Sequence, residues 1–217
     1  KLLKKFPNNV YILNLVGMAY QGYSKHEYSI QYFREALKYA PNNIAIMNNY
    51  ANSLKGLGKL EISKELYEKI LKLNPDYVNA YNNYANLKTI INDYEGAIKL
   101  YQKAVEILKK TPNIPATSRV GILFSLASAY QGNNKIEDAK KTIDEVFSID
   151  PSHSAAHKLL SSILKYKRED KKTLDHIDKM EDLYNRVNHT NLEKKIDLSF
   201  SLGKAYEDLK DFKKSYE

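Results

Sequence analysis

Asn48-Asn49-Tyr50-Ala51-Asn52 returns unchanged as Asn82-Asn83-Tyr84-Ala85-Asn86, 34 residues further along the chain. An identical pentapeptide at a fixed offset is the signature of an internal repeat. The prolines keep the same interval: Pro7, Pro41 and Pro75 stand 34 residues apart. Pro151 follows two periods later with eight extra residues, which fall around 109–118. Pro112 and Pro115 forbid a continuous helix there, because proline removes a backbone donor and clashes with the preceding turn.

Each period holds two helical stretches. The first stretches are 10–21, 44–55, 78–89 and 119–131; the second are 28–40, 62–74, 96–108 and 139–150. Apolar residues recur in both at intervals of three and four, as in Tyr32, Phe33, Ala36 and Leu37, the spacing of a buried helical stripe. Small residues mark where paired helices must approach: Gly17, Ala51, Ala85 and Ala127 on the first, Ser29, Ser63, Ala97 and Ala139 on the second. Phe33, Tyr67 and Tyr101 are placed to fill the space beside them. Beyond Pro151, 154–165 and 173–183 read as a further pair, and 196–209 begins another.

This pattern resembles the tetratricopeptide repeat, a 34-residue antiparallel helix pair. The resemblance implies an all-α fold, a right-handed α-solenoid of stacked pairs running through residues 1–217 as one array. Its repeats are 10–43, 44–77, 78–111, 120–153, 154–187 and a truncated 196–217, after a partial helix at 1–7. Both ends fall inside a repeat, so an excerpt of a longer protein is expected, since solenoids need capping repeats to shield their terminal faces.

The composition narrows the function. The 217 residues include no cysteine, which removes disulfides, thiolate metal sites and a cysteine nucleophile. No apolar run reaches the length of a membrane span. The net charge is +8, but only four of the cations are arginines, Arg34, Arg119, Arg168 and Arg186. The lysines alternate with acids, as in Lys64-Glu65 and Glu68-Lys69, which is the pattern of a solvated surface and argues against nucleic acid as the partner. No phosphate-binding glycine loop and no Gly-x-Ser-x-Gly elbow is present. His153 and His157 stand four apart, yet nothing at matched spacing supplies a third metal ligand, so they read as ordinary, partly exposed histidines. Glu181 and Asp182 sit on an expected exposed helix. The segment is expected to have no enzyme activity, metal or cofactor of its own, and to lie in the cytoplasm.

Asparagine costs up to about 0.7 kcal/mol relative to alanine in mid-helix, so six of them in two helix centres call for a reason. Residues four apart share a face, which joins Asn48 with Asn52 and Asn82 with Asn86. With Asn49 and Asn83 they form a neutral stripe of carboxamides on the concave side, suited to a peptide backbone. The stripe resembles the asparagine ladder of O-linked N-acetylglucosamine transferases, which implies Asn49 and Asn83 as ladder positions. Leu15 and Ser125 occupy the neighbouring repeats, leaving two rungs. The chain holds 20 asparagines, so the bias of an AT-rich genome is the competing account. The carboxylate clamp of chaperone-binding tetratricopeptide domains is matched only at Asn52 and Asn83; its cations would fall on Asn48, Gly121 and Ser125, none of them basic.

Phe200-Ser201-Leu202-Gly203-Lys204-Ala205-Tyr206-Glu207-Asp208-Leu209 is similar to the last repeat of bacterial tetratricopeptide-repeat sulfotransferases, with Ser201 in place of the usual alanine. Residues 180–192 fit the linker helix of that family. The resemblance implies a polypeptide-binding module in the N-terminal region of a larger sulfotransferase-like protein. The alternative is a stand-alone scaffold, or a solenoid that self-associates through its exposed end faces.

Overall fold

The computed structural model describes residues 2–112, 114–188 and 190–216; Lys1 and Glu217, the ends of the expected array, lie outside them. Every regular element among the described residues is a helix. In the first of two compact units, Lys1–Pro112, these are α1 (Leu2–Lys5), α2 (Val10–Gly22), α3 (His26–Tyr39), α4 (Ile44–Gly56), α5 (Leu60–Leu73), α6 (Val78–Ile90) and α7 (Tyr94–Lys110). The second unit, Asn113–Glu217, holds α8 (Thr117–Gly132), α9 (Ile136–Ile149), α10 (Ser154–Ile163), α11 (Lys171–Arg186), α12 (Leu192–Asp208) and α13 (Phe212–Tyr216). The extra sequence around 109–118 is wound into helix only at its two ends: α7 continues to Lys110 and α8 starts at Thr117. After Leu183 the extra residues likewise extend the flanking helices, α11 running on to Arg186 and α12 starting at Leu192.

The turns inside the pairs are built alike. Ser24, Gly58 and Asn92 lie 34 residues apart, and all have positive φ, as do Asn134 and Lys210. In each case the next residue's N–H reaches back across the turn: Lys25 to Tyr20 O, Lys59 to Leu54 O, Asp93 to Lys88 O, Lys135 to Tyr130 O and Asp211 to Tyr206 O. This left-handed closure satisfies the last carbonyls of the helix. Only Gly58 adopts it without the steric cost that an L side chain carries. Between pairs, Asn9 Oδ1 accepts from Ile12 N at 3.0 Å and Asn43 Oδ1 from Ile46 N at 3.2 Å, capping α2 and α4.

In the first unit α2 packs on α3, α4 on α5 and α6 on α7; α3 and α5 also pack on the next first helix. Contacts of α4 with both α2 and α6 make the first helices a layer of their own. The small residues sit at the tightest points. A Cβ added to Gly17 would lie 2.5 Å from the Phe33 ring. Ala51 and Ala85 are buried at the same place in the next two pairs, and the Phe33, Tyr67 and Tyr101 side chains are buried with them. Ser63 Oγ donates to Ala51 O at 2.8 Å, tying the second helix to the first.

The second unit starts in the same way, with α8 on α9, but α10 lies most closely against α12 rather than α11. The repeat register explains the difference. Thr173, larger and β-branched, stands where the fourth pair has Ala139 and the first two have serine, so the close approach is lost; Ser161 stands at the place of Ala127. The tight turn is lost with it: residues 164–170 form an irregular connection. Polar and aromatic groups fill the wider joint. His157 Nδ1 lies 2.9 Å from His176 Nε2, Tyr166 OH 2.7 Å from His176 Nδ1, and Ser161 Oγ 2.9 Å from Tyr166 OH.

Proton counting defines that chain. Pro151 O can only accept, so His157 Nε2–H donates to it across 3.0 Å. His157 Nδ1 then accepts from His176 Nε2–H, and His176 Nδ1 accepts from Tyr166 OH. Every group is satisfied with both imidazoles neutral. His157 is therefore buried and paired with α11, rather than partly exposed beside His153. His153 instead caps α10, its Nδ1 accepting from Ala156 N at 3.1 Å.

Burial holds the pKa of His176 down to about 3, aided by the neighbouring His157 and Lys179. Burial also lowers that of His157, as do Lys179 and His153, against the opposing pull of Pro151 O and Asp150.

Two outcomes are expected. Gly17→Ala should destabilise the fold by about 1–3 kcal/mol, the usual cost of overpacking, measured by urea unfolding. Unfolding also frees the two histidines to bind protons below about pH 6.5, which the folded joint resists. Stability should thus be fully present above that value and fall as the solution is acidified. The loss should be about 2 kcal/mol from His176 between pH 7 and 5, with His157 acting in the same direction, measured by unfolding at the two pH values.

Candidate functional site

The asparagine stripe lies on α4 and α6, and helix packing joins it to α2. Asn49 Nδ2 donates to Asn14 Oδ1 at 3.2 Å, and Asn83 Nδ2 donates to Asn48 Oδ1 at 3.1 Å. Each bond spans two first helices and links residues 35 apart, one more than the repeat. The rungs therefore join one repeat position to its successor in the next repeat. Asn14, unnoticed in sequence because Leu15 fills the equivalent of Asn49, belongs to the stripe. The 35-residue interval was the available signal. Gln21 reinforces the same seam: its Nε2 lies 3.1 Å from Asn49 O and 3.0 Å from Ser53 Oγ.

Asn52 and Asn86 are held differently. The Tyr67 hydroxyl donates to Asn52 Oδ1 at 2.6 Å, and the Tyr101 hydroxyl to Asn86 Oδ1 at 2.6 Å. Both rings are buried, and a buried phenol needs a partner. These two asparagines thus have a structural task that the sequence did not reveal. Tyr84 stacks on Tyr67 with centroids 5.8 Å apart and donates to Glu68 Oε1 at 2.8 Å. Burial, then the hydrogen bond to Glu68, pushes its pKa well up.

Of the six stripe residues, Asn48 is buried and the other five are partly exposed. The bonds fix which end of each amide is free. Asn48, Asn52 and Asn86 have engaged oxygens, and the partly exposed Asn52 and Asn86 present their NH2 groups. Asn49 and Asn83 have engaged nitrogens and present their oxygens. Asn82 makes no side-chain hydrogen bond among the described residues. Asn48 is buried, so the partly exposed amides of the face are those of Asn49, Asn52, Asn82, Asn83 and Asn86. The face offers a peptide backbone both donors and acceptors.

The second unit contains a cleft of ≈ 970 Å³ between α9 and α11, floored by Phe147, His157, Leu160 and His176. Lysines and acids of both helices alternate along its rim. The two histidines there are committed to each other, and among the described residues no three His, Cys, Asp or Glu side chains converge to hold a metal. No helix of the described residues is long and apolar enough to cross a membrane.

Antiparallel helix pairs repeated at fixed register define an α-helical repeat protein. Three tetratricopeptide repeat models match the chain, at residues 10–43, 42–110 and 91–163. Together they cover well over half of it, and the chain belongs to the tetratricopeptide repeat family. No curated protein sequence matches it.

Several solved structures share the fold. PilF of Pseudomonas aeruginosa aligns with a TM-score of 0.72 at 17% identity, over 94% of this chain and 87% of that one. MamA of Desulfovibrio magneticus RS-1 aligns with a TM-score of 0.66 at 18% identity, over 81% and 95%. YrrB, described as a tetratricopeptide protein with an unusual peptide-binding site, aligns with a TM-score of 0.60 at 15% identity, over 84% and 86%.

The tyrosine–asparagine bonds can be tested. Asn52→Ala leaves the buried Tyr67 hydroxyl without its acceptor and should cost about 1–3 kcal/mol. Asn82→Ala should stay within about 0.5 kcal/mol of the wild type. Chemical denaturation of both variants checks the contrast.

Proposed function

We propose that the chain binds an extended polypeptide on the first-helix face of residues 1–112, through Asn48, Asn49, Asn52, Asn82, Asn83 and Asn86. The observation that carries this reading is the paired orientation of the amides. The oxygens of Asn49 and Asn83 and the NH2 groups of Asn52 and Asn86 are left unused by the helix-bridging and tyrosine bonds, so acceptors and donors for a peptide backbone lie together on this face. The fold, a protein-interaction scaffold in this family, supports the same assignment, and the peptide-binding site described for YrrB gives it a precedent in a related architecture. The groups on this face have no nucleophile–base geometry, so the role is recognition.

The larger protein is read as sulfotransferase-like, with this segment presenting the acceptor. The support is the 200–209 run, although Ser201, Ala205 and Tyr206 within it are buried and therefore also serve packing. The gene beyond the codon for Glu217 tests this: a strand followed by a Gly/Ser/Thr-rich basic loop supports it, and further repeats discard it in favour of a scaffold.

The binding role is tested with the Asn49→Ala/Asn83→Ala double variant, which removes both acceptor ends from the face. Affinity for peptides selected from a random library should fall about tenfold, with helicity retained by circular dichroism. Equal affinity in wild type and variant would show that the peptide lies elsewhere.

A further inference from the structure

In the second unit α11 is weakly tied to the helices before it. Of the four side chains it buries, two are polar, Thr173 and His176, beside Ile177 and Met180. Its main packing partner is α12. Towards α9 it borders the cleft, and its polar contact with α10 is His176 Nε2 on His157 Nδ1. Residues 164–170, which lead into it, form no helix. A segment with few buried apolar contacts and an irregular connection can open by itself, at lower cost than the whole fold.

The hydrogen-bond chain at this joint has room for one added proton and no more. With one, His176 Nδ1–H donates to the Tyr166 oxygen and Tyr166 donates to Ser161 Oγ. Ser161 then turns to Met180 Sδ, a weak acceptor 3.6 Å away. With two, both rings carry a proton on each nitrogen, and N–H faces N–H across 2.9 Å.

The surroundings offer little counter-charge. Lys179 of α11 opposes protonation of both rings; at the α9–α10 turn His153 opposes it at His157 and Asp150 favours it. From α9 comes the Phe147 ring, its centroid 4.4 Å from that of His157. Asp208 of α12 acts on Tyr166 and is itself paired with Lys165 and Lys204. Around the cleft, Lys140, Lys141 and Asp144 of α9 and Lys172 and Asp175 of α11 bring both signs of charge. Once α11 is released, both rings reach water and bind protons below about pH 6.5. The closed joint excludes those protons, so it is fully favoured above that value and loses ground as the pH falls.

We propose that residues 164–186 form an acid-released segment: two protons taken by the His157–His176 pair detach α11 from α10 and widen the cleft, while α8, α9, α10 and the first unit stay folded. The release is distinct from acid unfolding of the whole chain and independent of peptide binding on the first unit.

The chain has no cysteine, so Ser148→Cys/Asn185→Cys places one spin label on α9 and one on α11, both at exposed positions. Pulsed electron paramagnetic resonance should give one distance at pH 7 and a second, longer one at about pH 4.5, reversibly. The ratio of open to closed forms should rise more than tenfold, approaching about a hundredfold, per pH unit where two protons are taken. Circular dichroism should retain the helicity of all but α11. In His157→Gln/His176→Gln, whose amides donate and accept without titrating, the longer distance should be absent; its persistence there overturns the proposal. Histidine NMR of the unaltered chain needs no variant: His157 and His176 should stay neutral until the segment opens. Protonation of both near pH 6.5 in the closed form sinks the idea. So does a single distance down to about pH 4.5 with helicity intact, and so does loss of all helices in one transition.

Discussion

The whole arrangement depends on how closely two helices of a pair can approach. Where Gly17, Ala51 or Ala85 faces the second helix, the backbones come near enough for an aromatic ring to close the gap. That contact sets the pair spacing, and the spacing sets everything carried on the first-helix layer. Dense packing tolerates little change in volume, so the small residue and the ring act as one unit. The left-handed turn residue then follows as the shortest connection that keeps the pair antiparallel at this distance.

The fifth pair shows what happens when the unit is altered. Ser161 and Thr173 replace two alanines, and α10 turns to α12 for its main packing. The space opened towards α11 is filled by a closed hydrogen-bond chain through His157, His176, Tyr166 and Ser161. A partly satisfied network there would cost more than an apolar filling, and proton counting shows that this one is complete only with neutral imidazoles. The price of that joint is sensitivity to acid, since the unfolded chain gains protons that the folded chain excludes.

On the first unit the same logic gives the stripe its polarity. A buried tyrosine must place its hydroxyl, and Asn52 and Asn86 receive it. Once an amide's oxygen is committed, its nitrogen has one direction left. The orientation of the amides of Asn52 and Asn86 is thus set from inside the core. Of the asparagines that look surplus in the helix centres, Asn52 and Asn86 satisfy the core, Asn48, Asn49 and Asn83 bridge neighbouring helices, and Asn82 does neither.

The helices, their order and the small-residue contacts were legible in the sequence, because period, prolines and apolar spacing are local and repeat. Three kinds of feature were not. The ladder's 35-residue step, which brings in Asn14, depends on how adjacent helices are offset. The bonds of Tyr67 and Tyr101 to asparagines 15 residues earlier depend on the width of each pair. The His157–His176 contact depends on a pair that departs from its own pattern. Periodicity alone determined that this is a chain of antiparallel helix pairs and which faces are buried. Only the tertiary structure decided which end of each amide is free and which polar groups are spent on packing, because those choices are made by partners on other helices.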